Sequence, residues 1–184
     1  HGSLLAKELF KESRKKSINL EIYGLGGEKM KNIGVEIIKD TTPISAIGIW
    51  EALPLVIPMI KIKKQFLKAL ITKSPNCLIL IDYMGPNISI GRELKKKKIN
   101  IPIYYYIAPQ EWAWRVGNNL TTDLISFSDK IFAIFQQEAN FYRKRGGRVS
   151  WIGHPMVDLT KKLPTKKEAR KYLNLKSNQN ILLI

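Results

Sequence analysis

Short apolar runs alternate with amphipathic stretches through the middle of the chain. Cys77–Ile81 is a continuous apolar run, which is typical of a strand buried on both faces of a parallel sheet. Ile88–Lys98 predicts a helix, and Ile101–Ile107 predicts a second strand. Two further strands, over residues 129–135 and 149–152, are separated by another predicted helix. This alternation predicts an α/β fold built on a parallel sheet.

The first forty residues contain a predicted helix and two predicted strands. Apolar residues recur at i and i+4 over Leu5–Phe10, which predicts a helix. Ile18–Tyr23 alternates like a strand, and we expect the following Gly24–Gly27 to form a turn that uses positive φ. The glycines do not match a dinucleotide-binding loop, because Lys29 stands where that loop has its last glycine. Val35–Ile38 predicts the second strand.

The segment over residues 44–71 is mainly apolar in its first half and basic in its second. Pro54 and Pro58 interrupt a regular helix, and Pro58 is expected in the first turn of a restarted one. An apolar stretch followed by a basic amphipathic helix is typical of docking on an anionic membrane surface. A core helix whose lysines face water is the alternative. The residues predicted to contact the membrane are Ile47, Ile49, Trp50, Leu53, Val56 and Ile57.

The net charge of +16, from 31 Lys and Arg against 15 Asp and Glu, favours anionic partners. Biased codon usage that places lysines on solvated helix faces is the alternative explanation. Nucleic acid is the weaker partner, because the aromatic residues cluster at strand ends instead of alternating with lysines. Neither a signal peptide nor a membrane-spanning helix is expected, since charged residues interrupt every apolar run. The oligomeric state stays open.

Several kinds of catalysis lack the residues they need. The two histidines and the single cysteine, Cys77, lie far apart in the sequence, so we predict no metal and no other cofactor. The chain has neither a Gly-x-Ser-x-Gly nucleophile motif nor a phosphate-binding loop of the Walker type. The chemistry that remains is that of carboxylates at the ends of strands.

Asp82 is the leading candidate for that chemistry, because it directly follows the predicted strand Cys77–Ile81. Ligands of open α/β sheets bind beyond the carboxyl ends of the strands. A positioned aspartate there can take a proton from an attacking hydroxyl group. A carboxylate that only caps a turn is the alternative. Asn87, five residues further on, is expected to cap the next helix.

The predicted strand Ile101–Ile107 is followed by Trp112, Trp114 and Arg115. We therefore expect these residues at the same edge of the sheet as Asp82. The tryptophans offer a flat platform to a sugar or acyl chain, and the arginine can grip a phosphate. Packing against the sheet edge is the alternative for the tryptophans. His154 also follows a strand, with a hydrogen-bonding role in a turn as its simpler explanation.

Six motifs in a fixed order and spacing extend over nearly the whole chain. They are Gly24–Gly27 with Met30, Ile47–Pro54, Ile81 and Asp82 with Asn87, Ala108 and Pro109 with Trp112–Arg115, Glu138 with Phe141 and Tyr142, and Gly153–Asp158. In these motifs the chain resembles the lipid-A-disaccharide synthase family. The run Trp-Ala-Trp-Arg followed by a later Gly-His-Pro is its most specific part.

The resemblance implies a GT-B architecture, whose N-terminal domain is an α/β, Rossmann-like parallel sheet with helices on both faces. It places residues 1–158 in this acceptor-side domain, with the first strand missing. Residues 159–184 become the inter-domain connection and the first strand of a truncated, nucleotide-sugar-binding C-terminal domain. A fragment of this kind is expected to be inactive alone.

The activity that the resemblance implies is an inverting transfer of 2,3-diacylglucosamine from its UDP carrier to 2,3-diacylglucosamine 1-phosphate, forming a β-1,6 linkage. The family acts without a metal, as a peripheral enzyme on the cytoplasmic face of the inner membrane. Asp82 then corresponds to the proposed base. Asn87, Trp112, Trp114, Arg115 and His154 correspond to substrate-binding positions.

The chain also departs from the family pattern. Tyr83–Pro86 replaces a run with a second acidic residue, and Asn118 replaces a basic one. Gln136 and Gln137 replace a Pro-Phe pair before Glu138. A divergent glycosyltransferase with another glycolipid acceptor, or a basic module that binds membranes without catalysis, are therefore the alternatives.

Overall fold

The computed structural model describes residues 1–42, 56–110, 120–160 and 163–182. Its strands are β1 (Tyr23–Gly26), β2 (Glu36–Asp40), β3 (Leu78–Ile81), β4 (Ile103–Tyr106), β5 (Lys130–Ala133) and β6 (Val149–Trp151). Its helices are α1 (Gly2–Lys15), α2 (Glu28–Lys31), α3 (Val56–Lys73), α4 (Met84–Lys96), α5 (Leu120–Phe127), α6 (Gln136–Arg143), α7 (Met156–Thr160) and α8 (Lys166–Tyr172). Parallel strands flanked by helices confirm the predicted α/β class.

The chain divides into two compact units, His1–Ile152 and Gly153–Ile184. In the first unit, β3, β4, β5 and β6 form a parallel sheet in that order, and β1 pairs with β2 in a separate parallel sheet. Leu78 and Leu80 of β3 are buried while the alternate residues are half-buried, which is the period of two that a pleated strand produces. The strands predicted over residues 77–81, 101–107, 129–135 and 149–152 are therefore the strands of the larger sheet. Each observed strand is shorter than its prediction.

The core of the first unit joins the larger sheet to one face of each of four helices. Ile88 and Leu94 of α4 are almost completely buried, and each such side chain contributes about 1.5–3 kcal/mol to folding. The helical core residues are Phe66, Leu67, Leu70, Ile88, Ile90, Leu94, Leu124, Phe127 and Tyr142. A Cβ atom at Gly91 would lie 2.5 Å from ring carbons of Phe127, so α4 and α5 approach closely only because position 91 has no side chain.

An apolar cavity of about 450 Å³ lies between the two sheets. Its walls include β1, β3 and residues of α1 and α3, among them Leu25, Leu70 and Leu80. Within the part of the chain that the structure describes, β1 pairs only with β2 and β3 only with β4. Both strands therefore turn an unpaired edge towards this cavity.

The prediction that Gly24–Gly27 forms a positive-φ turn is wrong, because β1 continues to Gly26. The described glycines with positive φ are Gly34, Gly146 and Gly153. A Cβ atom at Gly26 would overlap the sulfur atom of Met30. Glycine at this position allows close packing against α2, and Gly26 does not adopt a positive φ.

The prediction that Asn87 caps the helix after β3 is also wrong. α4 already begins at Met84, so Asn87 lies within its first turn. Gly85 and Pro86 also lie in this turn, where a proline removes only an N–H group that has no helical acceptor. Pro58 occupies the corresponding place in α3, as predicted.

The second unit contains α7 and α8. Thr165 caps α8, and its side chain and that of Glu168 each accept a hydrogen bond from the other's backbone N–H. A strand was predicted over residues 181–184. Ile181 and Leu182 are exposed and belong to no strand, while residues 183 and 184 lie outside the described ranges.

Candidate functional site

Three strands of the larger sheet end side by side. The N–H of Asp82 donates to the carbonyl of Tyr106 at 3.0 Å, and the N–H of Ile107 donates to the carbonyl of Phe132 at 3.0 Å. These bonds continue the parallel pairing just past β3 and β4. We call the residues that follow β3, β4 and β5, namely Asp82, Ile107 and Ile134, the carboxyl edge. It is the edge at which open α/β sheets bind ligands.

Asp82 combines an exposed side chain with an uncommon backbone conformation. Its φ is 52°, in the left-handed region, and that of Ile107 on the neighbouring strand is 60°. Aspartate tolerates this region, whereas a β-branched residue rarely adopts it. Such conformations cost on the order of 1–3 kcal/mol and cluster at functional sites, where surrounding contacts maintain them. Its backbone conformation therefore adds to its position at the end of β3 as an indication that Asp82 is a functional residue.

Two side chains hold the backbone of Asp82 in place. The amide group of Asn87 donates to the carbonyl oxygens of Ile81 at 3.0 Å and of Asp82 at 3.2 Å. The hydroxyl group of Tyr105, a fully buried side chain, donates to the same Asp82 carbonyl at 2.7 Å. The backbone at Asp82 is thus fixed from within the protein, while its carboxylate faces solvent.

A second carboxyl group, Glu138, lies at the end of β5 and is fully buried. Its Oε2 accepts a hydrogen bond from the N–H of Ile134 at 2.8 Å, and Oε1 has no partner in the described structure. Burial raises the pKa of Glu138 from 4.5 to about 7, backbone N–H groups of Ile134 and Phe135 oppose the shift, and the charge of Asp82 adds to it. Glu138 is therefore largely protonated below neutral pH.

The role of Glu138 was missed by sequence reasoning, which used the residue only as part of a motif. Its position carried a signal, because an acidic residue in the first turn of a predicted helix can accept bonds from free N–H groups there. Its complete burial depends on helix and strand packing, which no local pattern reveals.

The structure brings Asp82 and Asn87 together, and it describes only some of the other candidates. Trp112, Trp114, Arg115, Ile47, Ile49, Trp50 and Leu53 lie outside the described residues. His154 belongs to the second unit, where its Nδ1 accepts a hydrogen bond from the N–H of Met156 at 3.2 Å. The turn-forming role expected for this histidine is present, and substrate binding by it stays a prediction.

Helix α3 carries both faces that its sequence suggested. Phe66, Leu67 and Leu70 are buried against the larger sheet, as expected of a core helix. Ile57 is nevertheless 67% exposed and Ile60 is 48% exposed. Val56 begins the helix, but its side chain is not described. One face of α3 therefore belongs to the core, and apolar side chains near its start face outwards.

None of the described helices is both long enough and apolar enough to cross a bilayer. The described His, Cys, Asp and Glu side chains include no group of three or more placed to hold a metal ion.

Comparison with known proteins places this geometry in a family. The model of the lipid-A-disaccharide synthetase family matches residues 1–184. Lipid-A-disaccharide synthases from Prochlorococcus marinus, Gloeothece citriformis and Synechocystis sp. are 47%, 39% and 39% identical to the whole chain. The alignments cover only 47%, 48% and 47% of those proteins, so the chain spans about half the length of these curated relatives. The chain belongs to the lipid-A-disaccharide synthetase family and corresponds to its Rossmann-like N-terminal part.

Proposed function

We propose that this chain is the acceptor-side half of an inverting glycosyltransferase that makes lipid-A disaccharide. The intact protein would transfer 2,3-diacylglucosamine from its UDP carrier to 2,3-diacylglucosamine 1-phosphate, forming a β-1,6 linkage. The observation that carries this proposal is the exposed Asp82 carboxylate, held at the carboxyl edge of a chain that matches the family throughout. The half-length chain alone is expected to be inactive.

In the proposed reaction Asp82 acts as the general base. Its carboxylate accepts the proton of the acceptor's 6-hydroxyl group while that oxygen forms a bond to the anomeric carbon of the donor. The bond from this carbon to the UDP oxygen breaks, and UDP leaves with the electron pair. A single displacement of this kind inverts the configuration. A carboxylate is a weak base compared with an alkoxide, so proton transfer late in the displacement suits this role.

The other site residues are proposed to hold the two substrates. Trp112 and Trp114 would stack against a sugar or acyl chain, and Arg115 would pair with a phosphate group. His154 is proposed as a further substrate contact. Asn87 would help mainly by fixing the Asp82 backbone, because its amide group already donates to two carbonyl oxygens there.

The test is Asp82→Asn in the full-length protein, assayed with both glycolipid substrates. We expect turnover to fall by about 100-fold or more, the usual contribution of a general base, with an unchanged circular dichroism spectrum. Glu8→Gln is the matched control, because Glu8 is an exposed carboxylate on α1 whose recorded partner is Lys11. Turnover of Asp82→Asn equal to that of the control would remove Asp82 from the role of base.

We also propose that the intact protein binds peripherally to the cytoplasmic face of the inner membrane. The exposed Ile57 and Ile60 near the start of α3, followed by Lys61, Lys64 and Lys68, support an anionic lipid surface as the partner. The predicted membrane contacts Ile47, Ile49, Trp50, Leu53 and Val56 would extend that surface. The same surface suits the alternative function, a basic membrane-binding module without catalysis.

Vesicle co-sedimentation tests the membrane proposal. The double variant Ile57→Ser with Ile60→Ser should reduce binding to phosphatidylglycerol vesicles, whereas Ile18→Ser, an equally exposed isoleucine outside α3, should not. Binding that disappears in salt and is the same for both variants would indicate a purely electrostatic module. An oligonucleotide in the same assay checks that nucleic acid is not the partner.

For the domain organisation, we propose that the cavity between the two sheets is filled in the longer protein by one more parallel strand. The facing edges of β1 and β3, to which no strand of the described residues pairs, support this. Gly2 at the start of α1 lies near Ile81 at the carboxyl end of β3, so a strand leading into α1 and on to β1 would complete a βαβ unit. Extending the chain by the preceding residues of the longer protein should raise its melting temperature. An unchanged melting temperature would contradict this strand.

A further inference from the structure

One face of α6 contacts the ends of two strands at the carboxyl edge. Glu138 and Tyr142 are four residues apart, so they lie on the same face of the helix. Both side chains, and that of Ala139 between them, are fully buried. The proposed reaction assigns neither of the two polar side chains a role.

Tyr142 fixes the residues that follow β4. Its hydroxyl group donates to the carbonyl of Pro109 at 2.9 Å, in a buried environment. Pro109 is two residues beyond Ile107, whose left-handed backbone belongs to the carboxyl edge. The exit path of β4 is therefore held by a hydrogen bond from α6 as well as by the sheet.

Glu138 fixes the residues that follow β5. Its Oε2 accepts the N–H of Ile134 at 2.8 Å, and the carbonyl of Ile134 accepts the indole N–H of Trp151 at 3.3 Å. Both backbone polar groups of Ile134, its N–H and its carbonyl, are thus hydrogen-bonded to side chains. A buried group of this kind is costly to leave unpaired, so these bonds define where β5 ends.

The same strands hold Asp82. Its N–H donates to Tyr106 of β4, and its carbonyl accepts the hydroxyl group of Tyr105 on the same strand. β4 is in turn bonded to β5 through the N–H of Ile107 and the carbonyl of Phe132. Hydrogen bonds, together with the short backbone segments between them, therefore connect α6 through the exits of β5 and β4 to the backbone of Asp82.

We propose that Glu138 and Tyr142 are a pair of positioning residues for the reaction, which fix the carboxyl edge from one face of α6 and so set the place of Asp82. This inference rests on the proposed function, because it takes Asp82 as the base. Neither side chain is expected to touch a substrate. They act through the backbone of Ile134 and Pro109.

The charge of Glu138 gives this role a measurable signature. The charge of Asp82 adds to burial in raising the pKa of Glu138, so the charges of the two carboxyl groups are coupled. Arg143 of the same helix donates to the carbonyl of Val149. Loss of the Glu138 proton near neutral pH would thus change both the hydrogen bonding and the charge at the carboxyl edge.

The experiment uses the full-length protein and measures kcat and KM for both substrates from pH 6 to pH 9. Tyr142→Phe should lower kcat by about tenfold, with KM nearly unchanged, because it misplaces a reacting group without removing a substrate contact. Glu138→Gln keeps a neutral acceptor for Ile134. It should retain wild-type kcat at pH 6 and lose the change in kcat that wild type shows near pH 7.

Tyr172→Phe is the matched control, because its hydroxyl group belongs to an 88% exposed side chain, and its kinetics should equal those of wild type. Melting curves monitored by circular dichroism show how much of each variant is folded. The proposal is overturned if Tyr142→Phe and Glu138→Gln both match wild type at every pH. It is equally overturned if their losses only follow the folded fraction.

Asp82→Asn separates this proposal from the proposed function. If Asp82→Asn is inactive and the α6 variants behave like wild type, only the positioning role fails. If Asp82→Asn remains active, the assignment of the base fails, and the positioning role fails with it.

Discussion

Two carboxyl groups lie near the carboxyl ends of strands in this fold and have opposite environments. Asp82 follows β3 just before α4, and Glu138 lies in the first turn of α6 just after β5. Asp82 is exposed and its backbone is held by side chains, whereas Glu138 is fully buried and itself holds backbone. Position at the end of a strand therefore does not determine the role of a carboxyl group. Solvent access decides which of the two is available for chemistry.

The largest expected effect that separates the two groups is on the pH dependence of stability. The native pKa of Glu138, about 7, lies above its ordinary value of 4.5, so the folded chain binds the proton more tightly. The stabilisation that this proton contributes is therefore fully present below pH 4.5. As the pH rises to about 7, the free energy of unfolding falls by up to ~3 kcal/mol. Urea unfolding at a series of pH values measures this fall.

Glu138→Gln is the control for this prediction, because a neutral amide has no proton to lose in that range. Its stability should lack the fall that wild type shows between pH 4.5 and about 7, while Asp82→Asn should keep most of it. An identical pH dependence for wild type and Glu138→Gln would show that Glu138 is solvated, and the contrast between the two carboxyl groups would not hold.

A smaller effect is expected from the side chain that holds Asp82. Asn87→Ala removes donors to the carbonyls of Ile81 and Asp82, and it should destabilise the chain by about 1–2 kcal/mol. In the full-length protein it should also lower kcat more than it raises KM. Asn180→Ala, at an exposed asparagine in the second unit, provides the comparison. A stability equal to that of wild type would mean that Tyr105 alone is enough to hold this turn.

The smallest expected effect has the opposite sign. Asp82→Gly places the residue that best tolerates positive φ at a backbone angle of 52°, so it should stabilise the chain by up to about 1 kcal/mol. The same change removes the carboxylate and should abolish turnover in the full-length protein. Destabilisation in urea by this variant would show that the side chain of Asp82 contributes to folding, as that of Glu138 does.

The larger sheet and the position of Asp82 were predictable from sequence because local patterns determine them. The apolar run before Asp82 and the one before Ala108 each became strands, and the open edge they share follows from parallel pairing. The family motifs added the expected role of Asp82, which remains a proposal. The separate sheet of β1 and β2 was not anticipated, since no local pattern shows which strands pair.

The errors in the sequence analysis have a common physical cause. Asn87 was expected to cap its helix, but the first turn of a helix also accepts Gly85 and Pro86, so α4 begins at Met84. Gly26 suggested a turn, yet it permits contact with Met30. The left-handed backbone of Asp82 and the burial of Glu138 also depend on partners distant in sequence. Residue type indicates which conformations and contacts a position can adopt, and tertiary packing determines which of them it does adopt.

The contact between Gly91 and Phe127 has a consequence for the Trp-Ala-Trp-Arg segment. Phe127 ends α5, so its contact with Gly91 attaches that helix to α4, while Pro109 is attached to α6 by Tyr142. The described residues on either side of the Trp-Ala-Trp-Arg segment, up to Gln110 and from Leu120 onwards, thus adjoin parts of the chain that are held by these contacts. Because Trp112, Trp114 and Arg115 are proposed to bind the substrates, exchanging this segment for that of a relative should transfer the relative's substrate preference to the same scaffold.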